Sequence, residues 1–343
     1  MTRVRFLSMQ NPLFLALIST FANILVSMTD SLISNHIFKP YAQQSIVSSL
    51  SYLTLGGIFG SMYQIFYAHA IGKSIDNSGS IFNFQGKGIE FHSQAARNGL
   101  VGAIATGIGL YGYSTLDLGT VLVLGSSSFL FVLLYDHFKR RTIKIQTYMF
   151  EICILIPGIF FAAYNPHRIS TMVSSIVLMV LLRGLLKGYK SQNDKDVSGV
   201  LGSKIATVWC FIYLAVFGAI LSVALVYILG YQSMYFATLK HVVFDTYFLL
   251  ALTGLMLCVF LSNGWKNEAK NTDTDVTTFE IIAYLEIPLL FIVSLVGNSV
   301  SPGLFGKVPT ETETLVVRTF GMLMVTSAVI MYTRKKRKLA ATV

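Results

Sequence analysis

Apolar runs of 18 or more residues recur along the whole chain, each long enough to cross roughly 30 Å of hydrocarbon. A water-soluble fold would have to bury every such run on all sides. Ten candidate spans can be marked, at approximately 12–36, 44–71, 96–114, 118–135, 143–164, 168–188, 203–230, 241–263, 277–297 and 313–333. Composition agrees: 54% of the 343 residues are hydrophobic and 12% are charged, against about 25% charged in an ordinary soluble domain. The chain reads as an all-α polytopic membrane protein.

The basic residues set the orientation. With the N-terminus in the cytoplasm, 21 of the 26 Lys and Arg fall on the cytoplasmic side, leaving Lys39, Arg168, Lys240, Lys307 and Arg318 opposite. A misplaced span would scramble that segregation, so it supports both the even count and cytoplasmic termini. The net charge of +10 is then topological. It points to anionic lipid headgroups and not to nucleic acid. The leader MTRVR resembles the start of a signal peptide, but the apolar run after it is too long, and it reads as a retained first helix.

Little in the chain suggests chemistry. Cys153, Cys210 and Cys258 fall in apolar runs at unrelated spacings. No P-loop, G-x-S-x-G, C-x-x-C or H-x-x-x-H occurs, and the G-x-G-x-x-G match at Gly107–Gly112 lies inside apolar span three, without the strand-to-helix turn a dinucleotide site needs. The reading is of a non-enzyme without catalytic residues, metal or cofactor.

Ten spans divide into five and five, and an odd number per half forces the halves into opposite orientation. Spans four and five, SSSFLFVLLYDHFKRRTIKIQTYMFEICILIPGIFFAA, match nine and ten in order: a helix, a polar hinge, then a helix with a mid-span glycine, Gly158 and Gly321. The domain plan is a cytoplasmic segment 1–11, a first repeat 12–164, a second repeat 165–333 and a basic tail 334–343. The first repeat carries a cytoplasmic loop, 73–94, rich in Gly, Ser and Asn and read as flexible or partly amphipathic.

With that 5+5 plan, the LEIP entry to span nine and a final hairpin ending in TRKKRK, the chain resembles the EamA-like branch of the drug/metabolite transporter superfamily. The chain departs from that family in lacking Trp-Gly in the first helix, in a longer 73–94 loop, and in the acidic residue at the end of span four, for which Asp136 is at best the counterpart. The resemblance implies ten helices as two inverted five-helix repeats and a central solute cavity lined by helices one, three, four, six, eight and nine.

The polar residues inside the spans are the candidate site. Glu286 lies about nine residues into span nine, roughly 13 Å deep at 1.5 Å per residue. A charge there costs at least about 2.5–3.5 kcal/mol, so it is read as facing a cavity. Pro288 removes a backbone donor and is read as a hinge. Thr20, Asn23, Ser27, Asp30 and Ser34 recur every three or four residues and form one polar stripe on span one, opposite Phe14, Leu17, Ile18 and Leu25. Gln64 and Tyr63, with Tyr67 and His69, offer donors and stacking surfaces at the end of span two, where the plainer reading is interface anchoring. Glu151 is read as paired to a neighbour, Asp245 as solvated at the interface, and Gly99, Gly102, Gly107 and Gly109 as packing contacts. Arg183 is read as snorkelling to headgroups.

These features give a secondary transporter of the bacterial inner (plasma) membrane. It would move a small polar or amphipathic solute, amino-acid-like, cationic or zwitterionic, by alternating access, with protons as a coupling ion. The other readings are a sensor or assembly subunit that does not transport, and, less favoured, a membrane-embedded enzyme. Oligomeric state, including a homodimer, is left open by the sequence.

Overall fold

The computed structural model describes residues 12–125, 128–135, 137–138, 145–166, 177–271, 286–301, 303–305 and 311–341. Asp136, the leader 1–11 and the start of span nine lie outside the described residues. So does most of the first half of span six. Among the described residues the chain is all-helical, with no strand.

We number the helices α1 (Pro12–Leu32), α2 (Ser45–Ala70), α3 (Gly88–Thr115), α4 (Leu118–Gly125), α5 (Ser128–Tyr135), α6 (Met149–Ala162), α7 (Gly184–Leu201), α8 (Ser203–Ile228), α9 (Gln232–Val242), α10 (Thr246–Asn271), α11 (Glu286–Val300) and α12 (Thr312–Ala341). A π-helical turn, Ile33–Phe38, continues α1, and another, Val177–Arg183, leads into α7. Such turns often mark functional positions in a helix. Among the described residues, six helical stretches are long and apolar enough to cross a membrane: Leu17–Ala42, Ser45–Ala70, Leu118–Tyr135, Ser203–Ile228, Thr246–Glu268 and Thr312–Tyr332. Large apolar side chains cover the outside, among them Phe21, Met62, Phe66, Leu250, Val316 and Leu323, each more than 60% exposed. An apolar exterior over apolar helices is that of a multi-pass membrane protein.

The helices pack in antiparallel pairs. On α2 and α8, a Cβ at Gly57 would meet Ala215 Cα at 3.1 Å and one at Gly218 would meet Leu53 Cγ at 3.1 Å. On α6 and α12, the pairs Tyr148–Tyr332 and Phe161–Phe320 run in opposite senses. Ser19 and Ser262 exchange hydroxyl-to-carbonyl bonds of 3.1 Å across α1 and α10, whose other ends meet at Phe38 and Phe248. Asn98–Asp194 and Arg183–Ala105 likewise set α3 antiparallel to α7. Close approach depends on small residues: a Cβ at Gly321 would lie 2.7 Å from Phe161 C and 2.8 Å from Gly158 O.

Two boundaries differ from the sequence reading. The segment after α2 is not a free loop. The Trp209 indole donates to Ile81 O at 2.8 Å, Trp265 donates to Ser74 O at 3.4 Å, and the Asp76 carboxylate accepts the Lys204 amide at 2.8 Å. Ile75 and Ile81 are buried beneath it, and helix α3 already begins at Gly88. These indole and amide partners are more than 125 residues away in sequence, so local composition cannot reveal them. At the other end, α12 runs on through the basic residues to Ala341, since nothing in TRKKRK breaks a helix.

Candidate functional site

A cavity of about 310 Å³ lies among α1, α2, α3, α4, α7, α8, α10 and α11. Four residues expected at a solute site line it: Asn23, Ser27 and Asp30 from α1, and Glu286 from α11. The 3–4 periodicity of α1 puts its three on one face. The Asn23 amide donates to Glu286 Oε1, joining the two helices. The stripe's ends behave differently: Thr20 reaches the cavity, whereas Ser34 is buried away from it.

Gln64 and Tyr63 are not brought to the cavity. Gln64 is fully buried and donates to Met256 O at 3.0 Å, while Tyr63 accepts from the Thr253 hydroxyl at 2.9 Å. Both tie α2 to α10, and Tyr67 does the same through Thr253 O at 3.0 Å. Pro288 occupies the first turn of α11 as described. Glu151 meets Lys335 at 3.2 Å. Asp245 caps α10, accepting the Phe248 amide at 2.9 Å.

One end of the cavity is polar and partly open, with Lys187, Lys190, Lys266 and Asn263 in its wall. There Lys190 pairs with Asp194 at 3.0 Å, and Asp194 accepts from the buried Asn98 amide at 2.6 Å. The other end is closed. The Tyr52 hydroxyl donates to Asp30, Tyr113 bonds Ser27, and both tyrosines are under 5% exposed. Beyond them Asn35 donates to Tyr113 O at 3.1 Å, Lys39 to Ser114 O at 3.1 Å, and Phe38 stacks on Tyr52 with centroids 5.1 Å apart. These contacts join α1, α2 and α3 into a plug.

Arg183 corrects the sequence reading. It does not snorkel: it is 8% exposed and lines the cavity, with Nε donating to Ala105 O at 3.3 Å. The glycine reading changes with it. Gly99 does serve packing, because a Cβ there would lie 2.8 Å from Leu214 N. A Cβ at Gly109 would instead fall 2.5 Å from Arg183 Nη2, and one at Gly125 2.6 Å from Nη1. Those two glycines make room for a guanidinium. A buried arginine followed by a glycine, in a helix whose apolar run has not ended, is the one sequence sign that could have pointed here.

A buried ion pair lies apart from the cavity. Arg318 on α12 grips Asp117 with both Nη groups at 3.2 and 3.0 Å, donates to Thr120 Oγ1 at 2.6 Å, and donates through Nε to Tyr164 O at 2.9 Å. Burial alone would push the Asp117 carboxyl up. The guanidinium and the Thr120 donors outweigh it and hold the group below the usual carboxylate range. The pair clamps α4, α6 and α12 and has a structural role.

Among the described residues, no group of three or more His, Cys, Asp or Glu is placed to hold a metal ion. The chain matches no protein-family model and no curated protein.

Proposed function

We propose that the chain is a secondary transporter that carries a small polar or amphipathic solute through the α1–α11 cavity by alternating access. The observation that carries this reading is a cavity walled by charged side chains inside a bundle whose exterior is apolar. Charges at that depth are costly and belong to solute or ion pathways. The plug at Tyr52 and Tyr113, set against the partly open lysine end, is what a carrier caught open to one side requires.

We further propose the inverted five-plus-five plan of EamA-like drug/metabolite transporters, with termini in the cytoplasm. A pseudo-twofold axis in the membrane plane exchanges α1 with α7, α2 with α8, α3 with α10, α4/α5 with α11, and α6 with α12. The main helix contacts are kept by that exchange. Contact α1·α10 maps onto α3·α7, α3·α8 onto α2·α10, and α5·α7 onto α1·α11, while α2·α8, α4·α11 and α6·α12 map onto themselves. Such an axis also demands that α2·α8 and α6·α12 be antiparallel, as they are. Glu286 is the residue for proton exchange.

Counterflow in proteoliposomes tests the reading. Vesicles preloaded with a metabolite mixture should take up the radiolabelled form of one component faster than empty vesicles do. No exchange for any component in folded protein would refute it.

A further inference from the structure

Arg183 is set up to receive something. Among the described residues its only hydrogen bond runs from Nε to Ala105 O, and the Nη edge lies on the cavity wall, in the slot left by Gly109 and Gly125. A buried guanidinium without an oxyanion is costly, and its fork matches a carboxylate or phosphate bidentately. Asp30 is within electrostatic reach of Arg183, and its carboxylate accepts from the Tyr52 hydroxyl. Tyr113 feels the charges of Arg183, Asp30 and Glu286 together, so the two signs meet around one phenol. The walls between them include apolar Val26, Leu122, Leu255, Val259 and Ile287. A volume of about 310 Å³ is at the small end of the ~300–1,000 Å³ typical of ligand pockets.

We propose that the cavity binds an amphoteric solute of amino-acid size, its oxyanion forked on Arg183 and its ammonium held between Asp30 and Glu286. This rests on the transport reading and narrows it. A purely cationic solute would leave the guanidinium unmatched and repelled, and a purely anionic one would bring no ammonium to match Asp30 and Glu286.

Binding to the full-length protein in lipid nanodiscs decides it. The probes are the common amino acids, each with its carboxamide and its N-acetyl derivative, and O-phosphoethanolamine as a phosphate-bearing zwitterion. The free amino acids should bind, and Arg183→Gln should weaken the best of them about 10- to 100-fold, to the level of its carboxamide. Glu286→Gln should bring it to the level of its N-acetyl derivative. Gly109→Ala is the companion variant, since the three atoms nearest the added methyl all belong to the Arg183 guanidinium at the end of a flexible side chain; it should reproduce the Arg183→Gln loss. Stronger binding of O-phosphoethanolamine than of any amino acid would make the oxyanion a phosphate. The assignment is overturned if carboxamides bind as well as free amino acids, if no probe binds, or if Gly109→Ala and Arg183→Gln leave selectivity unchanged. Zwitterion binding without counterflow would refute transport and leave this site standing.

Discussion

Asn23 and Glu286 lie 263 residues apart, yet the amide of one donates to the carboxylate of the other across the cavity wall. The bond joins α1 to α11, one from each half of the chain, so movement of one half against the other acts directly on it. If Glu286 exchanges a proton during transport, Glu286→Gln keeps the shape and removes the charge. Uptake driven by a proton gradient should fall to background while solute exchange without a gradient persists. Equal gradient-driven uptake in the variant and the parent, with the same pH dependence, would remove the coupling role.

The Arg318–Asp117 pair should matter for stability and not for selectivity. Removing one partner of a buried, hydrogen-bonded pair costs about 3–5 kcal/mol. Arg318→Met is expected to lower the unfolding midpoint in detergent sharply, and Arg318→Lys to recover little, since a lysine cannot reproduce the two-pronged grip and the Tyr164 bond. An unchanged midpoint would show that the clamp carries no weight.

The same pair predicts an acid limit. A carboxyl held below its ordinary value contributes stability that is complete above about pH 4, the unfolded value. That contribution is lost as pH falls through the lower folded value. Between pH 7 and pH 3 the parent should lose stability in the acid part of that range, and Asp117→Asn, already lacking the term, should lose less. Parallel curves for the two proteins would contradict it.

Packing at Gly321 leaves no space. A methyl there would press on the Phe161 carbonyl carbon and Gly158 O, both backbone atoms that cannot swing away. Gly321→Ala should destabilise by about 1–3 kcal/mol, whereas Gly254→Ala, which meets nothing within 4 Å, should not. Denaturant midpoints of the two variants provide the comparison.

Water access can be read with single cysteines in a background free of the native three. Asn263→Cys, at the partly open end of the cavity, should react with a membrane-impermeant thiol reagent applied from the side of the termini. Leu25→Cys, half-exposed on the apolar exterior, should resist it. Equal reactivity of both positions would refute the sidedness.

Much was legible from residue order alone. Long apolar runs dictate helices because every backbone donor must be satisfied inside its own segment. The 3–4 spacing from Thr20 to Asp30 dictates a common face, and its members Asn23, Ser27 and Asp30 do share one cavity wall. What residue order could not supply is which face meets which. Gln64 and Tyr63 offer hydrogen-bonding groups within an apolar span as Asn23 does, yet they tie α2 to α10 and do not line the cavity. Arg183 looks like a headgroup anchor, yet two glycines on other helices hold a slot for it. Periodicity is a property of one helix and is written in its own residues. Burial, pairing and the sign of the cavity's charge arise where helices distant in sequence pack together, and only the tertiary structure decides them.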